Sequence, residues 1–268
     1  MSTFYAMTTE LNQTDNRVLW SDTITNGVTT SGCFHDGEAV WILNQDGVKF
    51  KLQRHIIVRK GSSNGLVLDQ EYDLDTLASD IAGVDSASVT ALHCLTGDGR
   101  VLYIAYSYET LILPTTVGVG ARITQVTKNG KFGHSYDSVL NPLYPPQDMS
   151  YDGRYFYWYT KPDSATTFRH ETWDLTLHPG KKLGILKQER SLTTSGNPNN
   201  IVWAFDYDGR TFIAFATLRR GMQERSSAGT VISSYNSTNL SLVSGCFQRP
   251  SRNMRKFIGK QTFFAVTA

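Results

Sequence analysis

Cysteine is scarce in this chain and poorly spaced for chemistry. Cys33, Cys94 and Cys246 are odd in number, lie far apart and include no Cys-x-x-Cys pair, which argues against a zinc site or a disulfide frame. Buried free thiols are expected instead. No apolar run approaches the roughly 18 residues of a membrane span, so no membrane partner is expected. The opening Met-Ser-Thr-Phe-Tyr lacks the basic and apolar regions of a signal peptide. Synthesis in the cytoplasm without a leader follows as an expectation, and the sequons at Asn12, Asn236 and Asn239 then read as ordinary loop positions. An excess of one charge is missing too: the net charge is +2, with no Lys/Arg block, so nucleic acid is not an expected partner.

Catalytic signatures are equally thin. The six histidines, His35, His55, His93, His134, His170 and His178, form no His-x-x-x-His or His-Glu-x-x-His pair, and no Gly-x-Ser-x-Gly elbow occurs. Gly118-Val-Gly120 lacks the third glycine and the following helix of a phosphate cradle. No catalytic residue, metal or cofactor is expected.

What the chain has is a recurring phrase: Phe34-His-Asp-Gly37, Thr96-Gly-Asp-Gly99, Ser150-Tyr-Asp-Gly153 and Asp206-Tyr-Asp-Gly209, with a worn copy at Phe257-Ile-Gly259. Each Asp-Gly interrupts two apolar runs, which is a strong hairpin signal. The glycines advance by 62, 54, 56 and 50 residues, and a last interval of 46 is completed only by passing from Ala268 to Met1. A period near fifty with one hairpin per unit predicts a β-propeller. Composition agrees, with 40% hydrophobic residues, 12% aromatics, 19% charged residues and 22 glycines.

The expected fold is a single all-β domain over the 268 residues, a five-bladed β-propeller with four-stranded blades. Blade boundaries fall near 24–84, 85–140, 141–196 and 197–252, and the last blade combines 253–268 with 1–23. Strands at Met254 to Ile258 and Thr262 to Val266 would pair with strands at Thr3 to Glu10 and Arg17 to Thr23, because an unpaired half-blade would expose a sticky edge. In the fourth blade the outer strands are expected at Val231 to Asn236 and Leu240 to Phe247. Aromatic second strands such as Arg154-Tyr-Phe-Tyr-Trp-Tyr-Thr suit strands buried on both faces. Trp41, Trp158, Trp173 and Trp203 accordingly read as blade packing rather than as sugar platforms.

This layout resembles the five-bladed β-propellers, a group that includes tachylectin-type lectins and a clan of glycoside hydrolases. The resemblance lies in repeat length, repeat number and shared closure. It implies, for an enzyme, three carboxylates around the axis on inner strands of different blades. Only Asp148 and Asp206 meet that description, with Asp85 in an approach segment, while Asp36, Asp98, Asp152 and Asp208 are turn formers. The triad is not assembled, which argues against an enzyme.

Two surface features remain. Arg100, Arg154, Arg210 and Lys260 follow four of the five turn glycines and could form an anion-binding rim, although pairing with the adjacent turn Asp is the favoured alternative. Thr110-Leu-Ile-Leu-Pro-Thr-Thr-Val-Gly-Val-Gly120 reads as an uncharged apolar loop, either packed on its own blade or exposed for a partner. With the basic loop Leu218 to Ser227 it suggests a docking surface in which Leu111, Ile112 and Leu113 supply contact and Arg219 and Arg220 supply orientation. The expected function is a non-catalytic binding or structural subunit whose partners are protein subunits of a larger assembly. A bacteriophage virion is one setting, in tail, fibre or capsid decoration or in host attachment. A glycan-binding lectin is the alternative, and a glycoside hydrolase the third reading.

Overall fold

The structure is a computed structural model that describes residues 2–8, 18–24, 29–47, 49–112, 116–137, 140–146, 148–151, 153–160, 167–175, 185–193, 201–205, 211–215, 221–225, 231–236, 242–247 and 262–267. Every regular element among them is a strand. β1 (Ser2–Thr8) and β2 (Val18–Ile24) come first. β3 (Thr29–His35), β4 (Val40–Asp46), β5 (Lys49–Lys60) and β6 (Ser63–Asp73) form the first antiparallel sheet in chain order. β7 (Ser86–Gly97), β8 (Val101–Ile112), β9 (Thr116–Thr127) and β10 (Phe132–Asp137) form the second. β11 (Met149–Tyr151), β12 (Phe156–Thr160), β13 (Thr167–Asp174) and β14 (Ile185–Thr193) form the third, and β15 (Ile201–Phe205), β16 (Thr211–Phe215), β17 (Gly221–Arg225) and β18 (Val231–Asn236) the fourth. β19 (Leu242–Phe247) and β20 (Thr262–Thr267) join β1 and β2 in a sheet of order β19-β20-β1-β2. The chain is all-β, and its four-stranded meanders have the build of β-propeller blades.

The first strands of these sheets touch in cyclic order: β3 meets β7, β7 meets β11, β11 meets β15, β15 meets β19, and β19 meets β3. Around that centre the first two sheets bury both faces of their second strands, β4 and the inner part of β8. Val40, Trp41, Ile42 and Leu43 are all fully buried. Trp41 and Leu43 pack in the cluster that contains Ile104 and Tyr106 of β8. Val40 and Ile42 pack with Phe4, Phe264 and Val266 of the sheet that joins the chain ends. Each such side chain contributes about 1.5–3 kcal/mol by leaving water.

Asp-Gly turns link first to second strands. Gly37 and Gly99, each the first of the pair at its turn, and Gly153 have φ of 100°, 85° and 101°, a positive region that glycine enters without strain. The aspartate stands just outside that pair and caps it: Asp36 Oδ1 accepts the amides of Glu38 and Ala39 at 2.8 and 2.9 Å. Asp98 Oδ1 does the same for Arg100 and Val101 at 2.8 and 3.0 Å.

Two strand expectations are corrected. Leu242–Phe247 is not the fourth strand of the fourth sheet; it pairs with β20, with Cys246 opposite Phe264. The fourth sheet instead takes Gly221–Arg225 as its third strand, out of the segment expected to be a basic loop. An apolar-alternation reading missed Gly-Met-Gln-Glu-Arg because its sequence is polar, and shifting one strand then displaced the next. The expected strand at Met254 to Ile258 lies outside the described residues. β1 pairs β20 from Phe4–Val266 to Thr8–Thr262. A side-chain latch ties this sheet to the first: Asp22 of β2 binds Lys60 Nζ at 2.7 Å and accepts the Leu66 amide at 2.7 Å. Burial alone would raise the Asp22 carboxyl, but those bonds and the Thr23 amide hold it below the usual carboxylate range.

Candidate functional site

The segment expected as an apolar loop is strand. β8 and β9 pair without a break from Val101–Thr127 to Ile112–Thr116, so Leu111 and Ile112 sit in a projecting hairpin. Beyond the buried pair Ala121 and Ile123, the same face of β9 emerges from the core: Val119 is 61% exposed, Val117 62% and Leu111, opposite Val117, 36%. Ile112 is on the other face and 42% exposed. Neither of the two loop readings describes this, because long-range pairing overrode the local Gly-rich sequence. The glycines instead make room for side chains: a Cβ at Gly120 would lie 2.3 Å from Tyr108 Cζ. Leu113, Arg219 and Arg220 lie outside the described residues, as do Arg210 and Lys260 of the expected basic rim.

Arg100 and Arg154 are exposed. The Arg154 guanidinium stands 4.7 Å above the Tyr155 ring, so a rim cation here packs on its own turn. Among the described residues one cation that reaches a turn aspartate comes from a neighbouring sheet: Lys128 Nζ lies 2.5 Å from Asp36 Oδ2, which also accepts the Trp41 indole N–H at 2.9 Å. Burial pushes the Asp36 carboxyl up, yet Lys128, Trp41 and the two turn amides outweigh it and leave the group below its usual range.

Of the inner-strand carboxylates only Asp148 falls among the described residues, and its bonds are to neighbouring backbone and to Ser244. Asp148 is fully buried and accepts bonds from Met149 N at 3.0 Å, Ser244 Oγ at 3.1 Å and Gly245 N at 3.3 Å. Asp206 lies outside the described residues. Asp85 donates its backbone N–H to Leu111 O at 2.9 Å, which ties the segment before β7 to the turn end of the hairpin. Trp41 and Trp158 are fully buried, and Trp158 stacks on Trp173 while both indoles donate to Glu171 Oε2. The side chain of Trp203 is outside the described set. Cys33, Cys94 and Cys246 are buried free thiols. Among the described residues no three His, Cys, Asp or Glu groups are arranged to hold a metal ion, and no helix is long and apolar enough to cross a membrane.

A polar cleft lies on the opposite face of the same hairpin, between β8–β10 and the segment that joins β6 to β7. Its volume is about 370 Å³. Arg122 of β9 is its anchor, only 3% exposed. Asp80 grips it in a fork, Nη1–Oδ1 3.0 Å and Nη2–Oδ2 3.3 Å, and Asp137 Oδ1 lies 3.0 Å from Nε. That last contact is off the line of the Nε–H, which has no aligned acceptor. Tyr108 forms one wall, with His134 and Ser135 at the rim. Burial holds the Tyr108 hydroxyl above its usual pKa, with Asp137 adding to the shift and Arg122 opposing it. The sequence offered one sign of this cleft, a lone arginine in the strand-like segment Ala121 to Val126; its partners come from 42 and 15 residues away and were not foreseeable.

No family model matches the chain, and no curated protein matches it. Among solved structures it is similar to a protein of unknown function from Bacteroides caccae, at 11% identity over 88% of this chain and 73% of that one, with a TM-score of 0.40. The WD40 domain of Toxoplasma gondii coronin gives 7% identity, 98% and 86% coverage and a TM-score of 0.40. The PQQ-bound aldose sugar dehydrogenase of Streptomyces coelicolor gives 10%, 97%, 85% and 0.42. Likeness at this level carries no argument about function.

Proposed function

We propose that the chain is a non-catalytic binding subunit, a ring of five blades that docks other protein subunits of a larger assembly through the end of the β8–β9 hairpin. The observation behind this reading is the stripe of Leu111, Val117 and Val119, apolar side chains exposed on paired strands rather than on a loop. A patch already ordered by backbone pairing loses little entropy on binding, which favours association. The setting we propose is a large protein particle, a bacteriophage virion among the candidates, in tail, fibre or capsid decoration or in host attachment. The absence of turnover is part of the same proposal, and Asp148's structural bonds support it. The test is to replace Leu111, Val117 and Val119 with Ser. An unchanged melting temperature with loss of co-purification or particle incorporation is the expected result; unchanged incorporation would refute the reading.

A second reading, glycan binding, has one observation in its favour. Between β2 and the β5–β6 hairpin is a cleft of about 350 Å³ that combines Trp20 and Phe264 with Arg59, Ser63 and Asn64. Aromatic faces with fixed polar groups suit a sugar ring. Saturable binding of an oligosaccharide that Trp20→Ala abolishes would move the function to this cleft.

A further inference from the structure

The Arg122 cleft has a charge surplus that its own residues do not balance. One guanidinium faces two carboxylates, so the cleft carries one net negative charge. Arg122 is buried and takes the inner side of both groups. Asp80, which also accepts the Ser135 hydroxyl at 3.5 Å, and Asp137 remain 58% and 39% exposed, and each carboxylate offers about four lone-pair positions, more than these contacts use. Beside them stands the Tyr108 ring, kept in place by the space above Gly120.

An occupant should therefore bring hydrogen-bond donors, a positive charge and a surface that tolerates an aromatic wall. An anion is disfavoured because the single cation present is already paired twice. A metal ion is disfavoured because the described residues lack a third oxygen, nitrogen or sulfur ligand from His, Cys, Asp or Glu in range. A neutral sugar would leave the net charge uncompensated. We propose that this cleft accepts one organic cation, the ammonium of a lysine or the guanidinium of an arginine side chain presented by the docking partner. Two carboxylates lining one cleft suit donors spread over one group, and Tyr108 adds a cation–π face. This rests on the docking reading only for the source of the cation: apolar contact on one face of the hairpin and a basic side chain on the other would make the partner grip it from both sides.

The experiment is an NMR titration of the full chain with Nα-acetyl-lysine methylamide and Nα-acetyl-arginine methylamide, using Nα-acetyl-norleucine methylamide and methyl glucoside as neutral controls. Saturable shifts of Tyr108 and His134 with a cationic probe, absent with both controls, are expected. Asp137→Asn and Asp80→Asn should each weaken the response about five-fold, the upper range for one exposed charge pair. Each variant leaves Arg122 one carboxylate partner, so either reports if the other fails to fold. No saturable shift, an equal response to norleucine, a response to the glucoside alone, or an undiminished response in both variants would overturn the proposal. Probe binding by a chain whose Leu111, Val117 and Val119 variant still enters its assembly would sink only the docking reading. The reverse pair of results would sink only the cleft.

Discussion

Ser244 of β19 donates its hydroxyl to Asp148, the residue just before β11, across 3.1 Å, although 96 residues separate them and the fourth sheet stands between theirs, β11 meeting β15 and β15 meeting β19. The same Ser244 Oγ accepts the amide of Cys33 on β3 at 3.1 Å. Three sheets are thus linked at the centre by one carboxylate and one hydroxyl. Replacing Asp148 with Ala would strand the Ser244 hydroxyl and the Gly245 and Met149 amides. A loss of about 3 kcal/mol is expected in denaturant unfolding, since removing a charged acceptor leaves its buried donors unsatisfied. A variant as stable as the parent would show that these bonds contribute nothing net.

Acid should weaken the fold through two buried histidines. Burial lowers the pKa of His55 and His93 to about 4, against the partial opposition of Asp22 and Glu71 at His55, where Lys60 adds to the lowering. Between about 6.5 and 4 the unfolded chain therefore binds more protons than the folded one. The stability these residues contribute is complete above pH 6.5 and is lost as pH falls towards 4, on the order of 2–3 kcal/mol for each. Melting curves from pH 7.5 to 4.5 should show this slope, and it should shrink in His93→Asn. An identical slope in that variant would remove His93 as a cause.

Gly32 marks a close approach of the first and second sheets. A Cβ there would lie 2.8 Å from Leu95 N and 2.9 Å from Leu95 Cβ, and the backbone atom cannot swing aside. Gly32→Ala should cost several kcal/mol, at or above the ~1–3 kcal/mol typical of overpacking, whereas Gly47→Ala, at an open turn, should cost only its backbone strain. Comparable losses in the two variants would contradict the close approach.

The turn aspartates should differ in weight. Asp36 serves two amides, an indole and Lys128, while Asp98 serves two amides at a half-exposed site. Asp36→Ala is expected to lose about 2–3 kcal/mol and Asp98→Ala about 1 kcal/mol. Thermal melts of the pair decide this, and equal losses would mean that Lys128 and Trp41 add nothing.

Removing residues 1–24 would uncover β20 and release the Asp22 latch to Lys60 and Leu66. Aggregation measured by light scattering is expected, because a bare edge strand recruits other chains. A soluble monomer with the parent's melting temperature would show that β1 and β2 are dispensable.

Much of this architecture could be read from the chain itself. The Asp-Gly phrase encodes its own hairpin, because a positive φ at Gly37 and a carboxylate that reaches back to two amides are properties of neighbouring residues. Continuous apolar runs such as Val40 to Leu43 likewise announce strands buried on both faces. Polar strands gave no such signal, so Gly221–Arg225 passed for a loop and Leu242–Phe247 for the wrong sheet. The projecting β8–β9 hairpin looked like a loop because its glycines are explained only by Tyr108 and Thr110 lying across them. Above all, the Arg122 cleft was decided by tertiary structure. Asp80 and Asp137 become partners of Arg122 only after the segment following β6 folds onto the second sheet, where Tyr106 donates to Leu77 O at 2.9 Å. Local chemistry fixed the turns and the strand period, while distance in space, which no local pattern carries, brought the charges together.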